Sequence, residues 1–419
     1  MKTFHYLYIN IPKFIRYCII LAPTIVFVLI LVDIKRIPID FRGTDDGSQF
    51  IVRNLALSEF LNSSIMYPRW LSGLYYGYGY PVLQFYSPFI YILIHIIRSV
   101  GLKSLDDAFL MLCLIITCCA FIGAMRFSSR LQHLLLVINR NNNKTYGEYI
   151  HLVPALIYVN APYPFIINIL LRGAFPEALA LAMLPWLATR MLIMYRNETT
   201  QRSQIIINSI LLTTVMMIHQ LSYTIFVIVI SVIGVFCAFV SKVSKVYYIF
   251  ILICLSINIG GLFWIPIIFE ASQVRLSVTQ KPIAEFDNYL LDTNDVIQKP
   301  WPYNYGWNSN EINNHTNNCP SIFISCRPNE TRLITSSFTP IAPSWTQIIG
   351  IVSLIVWFMA SRFSVRNRKT HPVIFLAITI IGVIVWLMTG YSSWLWKAIK
   401  VSTYIQFPWR LLGILAFLS

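Results

Sequence analysis

Two adjacent acids, Asp45 and Asp46, open a polar stretch unlike the rest of the chain. Residues 43–88 read GTDDGSQFIVRNLALSEFLNSSIMYPRWLSGLYYGYGYPVLQFYSP. A carboxylate beside a partly desolvated cavity can take a proton from an attacking hydroxyl, an effect typically worth ~10²–10⁴-fold in rate. Asp46 is the first candidate for such a base and Asp45 its rival. The same pair also fits two other roles. Asp is a favoured N-cap, and an amphipathic run follows. Paired carboxylates could also hold Mg²⁺ or Mn²⁺, although hard cations usually need further oxygen ligands. No CxxC pair or HxH cluster suggests a structural zinc site.

The basic residues suggest a second kind of chemistry. Arg69 stands in PRW, Arg172 in LRGAFPEALA, His219 and Gln220 in HQLS, and Arg410 in QFPWR. A guanidinium fork presents planar donors to phosphate oxygens, so Arg172, Arg69 and His219 are candidates to bind a lipid phosphate. Glu177, five residues after Arg172, would orient it or simply pair with it. Gln220 and Arg410 are supporting candidates, and Glu270 and Arg275 fall on the same expected face. The aromatic turn Tyr75-Tyr76-Gly77-Tyr78-Gly79-Tyr80-Pro81 reads as an interfacial belt, or as a stacking surface for a sugar or an isoprenoid. Trp301, Tyr303, Tyr305 and Trp307 invite the same two readings.

These residues need a scaffold, and composition points to a membrane. The chain is 57% hydrophobic and only 12% charged, against about 25% charged in soluble domains. Its mean hydropathy is +0.64. The net charge of +15 is spread over short connections between apolar runs, as the positive-inside rule requires, and no basic domain suggests nucleic acid. The expected fold is an all-α polytopic bundle of about nine or ten transmembrane helices over residues 1–419, a single domain. The first span, about 16–34, follows Lys2, Lys13 and Arg16 and reads as an uncleaved anchor with its N-terminus in the cytoplasm. The first extracytoplasmic loop covers 35–105 and a larger one 271–344.

Residues 82–100 are expected to form juxtamembrane or re-entrant structure in that first loop. If they crossed, Arg126, Arg130, Arg140 and Lys144 would all lie outside, against the positive-inside bias. Ser104-Leu-Asp-Asp is a capping-box pattern for the next helix. Further spans are expected at about 150–171 (broken at Pro154, Pro162 and Pro164), 176–194, 205–218, from the HQLS tip back to Lys242 and Lys245, 246–268, 345–360 and 372–388. Only 12 residues follow Phe407, too few to cross about 30 Å of hydrocarbon; either Val401 to Ser419 is one span with Arg410 embedded or the sequence is truncated, and truncation is the expectation. Of the eight cysteines, six lie in apolar runs and read as small buried hydrophobes. Cys319 and Cys326 share the large loop, as a disulfide if that side is oxidising or as two thiols.

The ordered set of motifs resembles one bacterial family. An acidic pair after the first span, then PRW, GYGYP, FYSP, RGAFPEALA, HQLS and QFPWR is similar to the multispanning proteins labelled "6-pyruvoyl-tetrahydropterin synthase-related" membrane proteins. These belong with the GT-C glycosyltransferases. The resemblance spans about residues 44–410 and rests on the order of the motifs, none of which is specific alone. It implies a glycosyltransferase of the cell inner (plasma) membrane with its active site on the extracytoplasmic side. The implied donor is a polyprenyl-phosphate sugar, and the acceptor a glycan, lipid or protein. The family's catalytic acid maps to Asp46, or to Asp45 by a one-residue shift, and Arg172 best matches a donor-phosphate ligand. The family pattern has a His before the acid and another soon after it, where this chain has Thr44, Asp45 and Phe50. No cofactor is implied, with a divalent metal the alternative. The rival functions are a lipid-linked-glycan transporter or flippase, and a non-catalytic assembly subunit.

Overall fold

The computed structural model describes residues 44, 46–62, 68–138, 151–196, 202–241, 246–274, 290–291, 345–362, 371–399 and 408–419. The expected first span, Asp45, Arg275, the aromatics at 301–307 and the Cys319 and Cys326 pair lie outside them. The described residues are mostly helical, with two isolated β-bridges and no longer strand.

Among the described residues, three helical stretches are long and apolar enough to cross a membrane: Leu105–His133, Leu152–Leu170 and Phe175–Met194. A fourth arises if the bent pair Tyr247–Ile259 and Gly261–Gln273 counts as one span. Most of the other expected spans appear as apolar helices of 10–17 residues. The expected single span at 246–268 is in fact two helices meeting at 69°. Gly260 and Gly261 stand at that bend, as expected where adjacent glycines weaken a helix.

In chain order the helices are α1 (Gly47–Asn62), α2 (Val82–Phe85), α3 (Phe89–Ser99), α4 (Leu105–Ile138) and α5 (Leu152–Val159). A wide, π-type helix covers Pro162–Leu171. Then come α6 (Phe175–Arg196), α7 (Arg202–Ile218), α8 (Gln220–Ser241), α9 (Val246–Ile259), α10 (Gly261–Glu270), α11 (Trp345–Arg362), α12 (His371–Leu387), α13 (Ser393–Ile399) and α14 (Leu412–Leu418). The 11 residues of α3 rise about 16 Å at 1.5 Å each, roughly half the hydrocarbon thickness. Ser104 begins α4 as the capping pattern predicts, its carbonyl accepting Ala108 N–H at 3.2 Å.

The centre of the bundle is α4 against α6, with α5 and α7 beside them. Gly123 lets Trp186 lie against α4, where any Cβ would collide with the indole. The indole N–H donates to Cys119 O at 2.9 Å, and Arg126 covers the ring face at 4.7 Å. Small residues at helix contacts and polar groups bridging them replace the missing hydrophobic drive between membrane helices. Ser209 and Thr213 of α7 do this toward α9, donating to Leu252 O at 3.2 Å and Ser256 O at 3.1 Å. Pro185 has no N–H to offer Leu181 O one turn earlier. Tyr158 of α5 donates to that carbonyl at 2.7 Å instead, which removes the cost of an unpaired group in an apolar bundle.

Candidate functional site

The break at Asn160 and Ala161 is followed by the wide helix, and that geometry builds the site. Tyr163, Asn168 and Arg172 are spaced by five and four residues. In an α-helix a five-residue step turns a side chain well away from the first. In a helix closed by i→i+5 bonds it stays on the same face. Arg172 N–H donates to Ile167 O at 2.8 Å, an i→i+5 bond at the helix end. The Arg172 guanidinium therefore meets Asn168 Oδ1 at 2.6 Å and Tyr163 Oη at 3.4 Å.

Gly173 then turns the chain into α6 with φ +67°, and Glu177 sits in the first turn of α6. Its carboxylate takes Arg172 at 3.0 Å and the Tyr163 hydroxyl, while Arg410 Nε lies 3.9 Å away. A carboxylate at a helix N-terminus also faces the positive end of the helix dipole. Glu177 and Arg172 are buried, at 3% and 7% exposure. Burial opposes the Arg172 charge, but Glu177, Tyr163 and Asp46 outweigh it, so its pKa stands above the ordinary guanidinium value.

The first loop reaches this cluster through its backbone. Asp46 N–H donates to Arg172 O at 2.8 Å. Asp46 holds the N-cap position of α1, its own carbonyl accepting Phe50 N–H at 3.0 Å, and Thr44 Oγ1 accepts Gly47 N–H at 3.1 Å. The approach is close because residue 173 has no side chain. A Cβ there would collide with Thr44 Oγ1 and come within 3.0 Å of Gly47 N. The Asp46 charge acts on Arg172, and also on Arg53, Tyr86 and Tyr91. Arg53, two turns along α1, donates to Gln49 Oε1 at 2.7 Å and Tyr91 Oη at 3.3 Å and covers the Tyr86 ring at 5.2 Å.

On the other side of Glu177 a small hollow opens, lined by Glu177, His219, Ser222 and Arg410 among aliphatic and phenyl groups. It has room for about one water molecule. Ser222 N–H donates to His219 Nδ1 at 3.3 Å, with Ser222 Oγ at 2.7 Å. An accepting Nδ1 puts the ring proton on Nε2. Burial, reinforced by Arg410 and Arg172 and opposed by Glu177, lowers the His219 pKa from 6.5 to about 4. His219 is therefore a neutral imidazole in the ordinary pH range.

The candidates from the sequence divide clearly. Arg172, Glu177, His219 and Arg410 gather at one place, and Asp46 joins them through its backbone N–H on Arg172 O. Gln220 opens α8 beside His219 but does not line the hollow. Arg69 is not in the group: it is half-exposed and pairs with Glu270 at 3.8 Å. Sequence reasoning missed Tyr163, Asn168, Arg53, Tyr86 and Tyr91. Asn168 carried a usable signal, being a lone amide in an apolar, proline-broken run. Among the described residues no three His, Cys, Asp or Glu side chains gather as a metal site. No protein-family model, curated protein or solved structure matches the chain.

Proposed function

We propose that this chain is an integral-membrane glycosyltransferase of the GT-C kind. It would move a sugar from a polyprenyl-phosphate donor to an acceptor on the extracytoplasmic side of the plasma membrane. One observation supports this above the others: the acidic first loop and the RGAFPE segment are joined at Asp46 N–H and Arg172 O, and the Asp46 charge acts on the buried Arg172 guanidinium. In this reading the Asp46 carboxylate takes the proton of an acceptor hydroxyl. The hydroxyl oxygen then forms the new bond to the anomeric carbon as the bond to the phosphate oxygen breaks, inverting that carbon. The bonding pair leaves with the polyprenyl phosphate. Arg172, Arg410 and the Nε2–H of His219 receive the growing charge, which is electrostatic stabilisation by groups already in position. Arg69 has no part in this step.

The test is transfer from a radiolabelled polyprenyl-phosphate sugar in proteoliposomes. Asp46→Asn should lower the rate ~10²–10⁴-fold in protein that still folds and inserts. Full activity in that variant would remove the base from the scheme and the scheme with it.

A second reading, a non-catalytic assembly subunit, draws on the state of the cluster. Glu177 already neutralises Arg172, and the hollow admits about one water. If that reading holds, Asp46→Asn leaves cellular glycan output untouched.

A further inference from the structure

Between α1 and α2 the chain makes a tight hairpin, separate from the ion cluster. Leu71 and Tyr80 exchange both backbone hydrogen bonds, at 3.0 and 3.1 Å, and Gly79 N–H reaches Leu74 O at 2.9 Å. Inside this clamp Tyr75 and Tyr76 are held at φ +52° and +60°, with Gly77 and Gly79 also left-handed. Side chains rarely adopt that backbone, and such conformations persist only where the surroundings impose them. Here they splay the aromatic rings outward. Tyr76 is fully exposed, and Tyr78, Tyr75 and Trp70 are largely so. Trp70 lies over Gly79, which leaves no room for a Cβ there.

The hairpin adjoins a second exposed apolar surface. Arg69 reaches Glu270, the last residue of α10. α10, bent away from α9, packs against α2 and exposes Leu262, Ile268 and Phe269. An arginine, an acid, four aromatic rings and three large apolar side chains thus share one edge of the protein. We propose that this edge is a membrane-interface anchor whose partner is the phospholipid surface. The rings lie at headgroup depth, apolar body inward and hydroxyl outward. Arg69 and Glu270 meet the headgroups, and Ile268 and Phe269 enter the acyl boundary.

The chemistry favours lipid over sugar as the occupant. The tip, Tyr75 to Tyr80, carries no amide or carboxylate side chain to bind a polyol, and its rings are exposed, with Tyr75 packed against Tyr80 at 4.8 Å. The neighbouring aliphatic groups offer a sugar nothing but suit an acyl chain. This inference is independent of the transferase reading.

The test uses the full chain in vesicles of phosphatidylethanolamine and phosphatidylglycerol. Photoreactive benzoyl-phenylalanine replaces Tyr76 or, separately, Tyr78, and Phe375, exposed on the apolar helix α12, carries the same probe as a reference. Mass spectrometry after irradiation should find phospholipid adducts at 76 and 78 as at 375. Adducts at 375 with none at 76 or 78 would overturn the proposal. So would protection of position 76 by added oligosaccharide, which would mark a sugar platform instead.

Discussion

Arg172 and Arg69 are alike in sequence: each stands beside a Pro or Gly turn at the edge of an apolar run. In the fold they reach opposite states. Arg172 is buried, with Asn168, Glu177 and Tyr163 on its guanidinium. Arg69 is half in solvent and meets one carboxylate at 3.8 Å. Removing a guanidinium from water costs several kcal/mol, and it is tolerated only where partners replace the lost hydration. The wide helix supplies those partners for Arg172. Nothing comparable surrounds Arg69 among the described residues. Residue type alone therefore does not separate a site arginine from a surface one. The backbone around it does.

The largest effect expected from that contrast is at Glu177. Glu177→Gln leaves Arg172 and Arg410 close together without their shared counter-charge. Breaking a buried pair by removing one partner costs about 3–5 kcal/mol, and thermal unfolding in detergent should show a loss of that size. A loss below ~1 kcal/mol, the range of exposed pairs, would erase the distinction between the two arginines. Next is Gly173→Ala. A left-handed non-glycine residue costs roughly 1–2 kcal/mol, and the added methyl also displaces Thr44. The expected readout is local: faster hydrogen exchange at the Asp46 amide, which is bonded to Arg172 O. Unchanged exchange there would mean the first loop does not depend on Gly173 for its docking.

His219 gives a smaller effect that depends on pH. Its pKa is about 4 in the fold against an ordinary 6.5, so between those values the unfolded chain binds a proton that the folded chain refuses. Stability is full above pH 6.5 and falls as pH drops toward 4. His219→Gln should flatten that fall in a series of melts across this window. An equally steep fall in the variant would assign the pH dependence to other groups.

Much of the scaffold was legible, because apolar runs and their breaks are direct signals. The run expected at 176–194 is the helix Phe175–Arg196, and that expected at 205–218 is Arg202–Ile218. The site was legible only where it followed ordinary helical spacing. Arg53 lies seven residues after Asp46 and could have been placed on its face by the 3.6-residue period. Tyr163, five residues before Asn168, could not, because that pairing needs the wider turn of a π-type helix. The partner of Arg69 was hidden for a different reason. Glu270 comes to it through a 69° bend, and a glycine pair permits such a bend without fixing its angle.

The smallest expected effect is at Arg69, and there the contrast can be sharpened most. Arg69→Ala and Glu270→Gln should each change stability by less than ~1 kcal/mol. The sum is less informative than the coupling. In a double-mutant cycle an exposed pair couples weakly, and added salt should abolish what coupling there is, since screening acts over about 10 Å at 0.1 M. The Arg172 and Glu177 pair is shielded from ions, so its coupling should be larger and indifferent to salt. If the two cycles respond to salt alike, burial is not what separates these arginines. The charge at Arg69 would then have to be held by something more ordered than a wet surface.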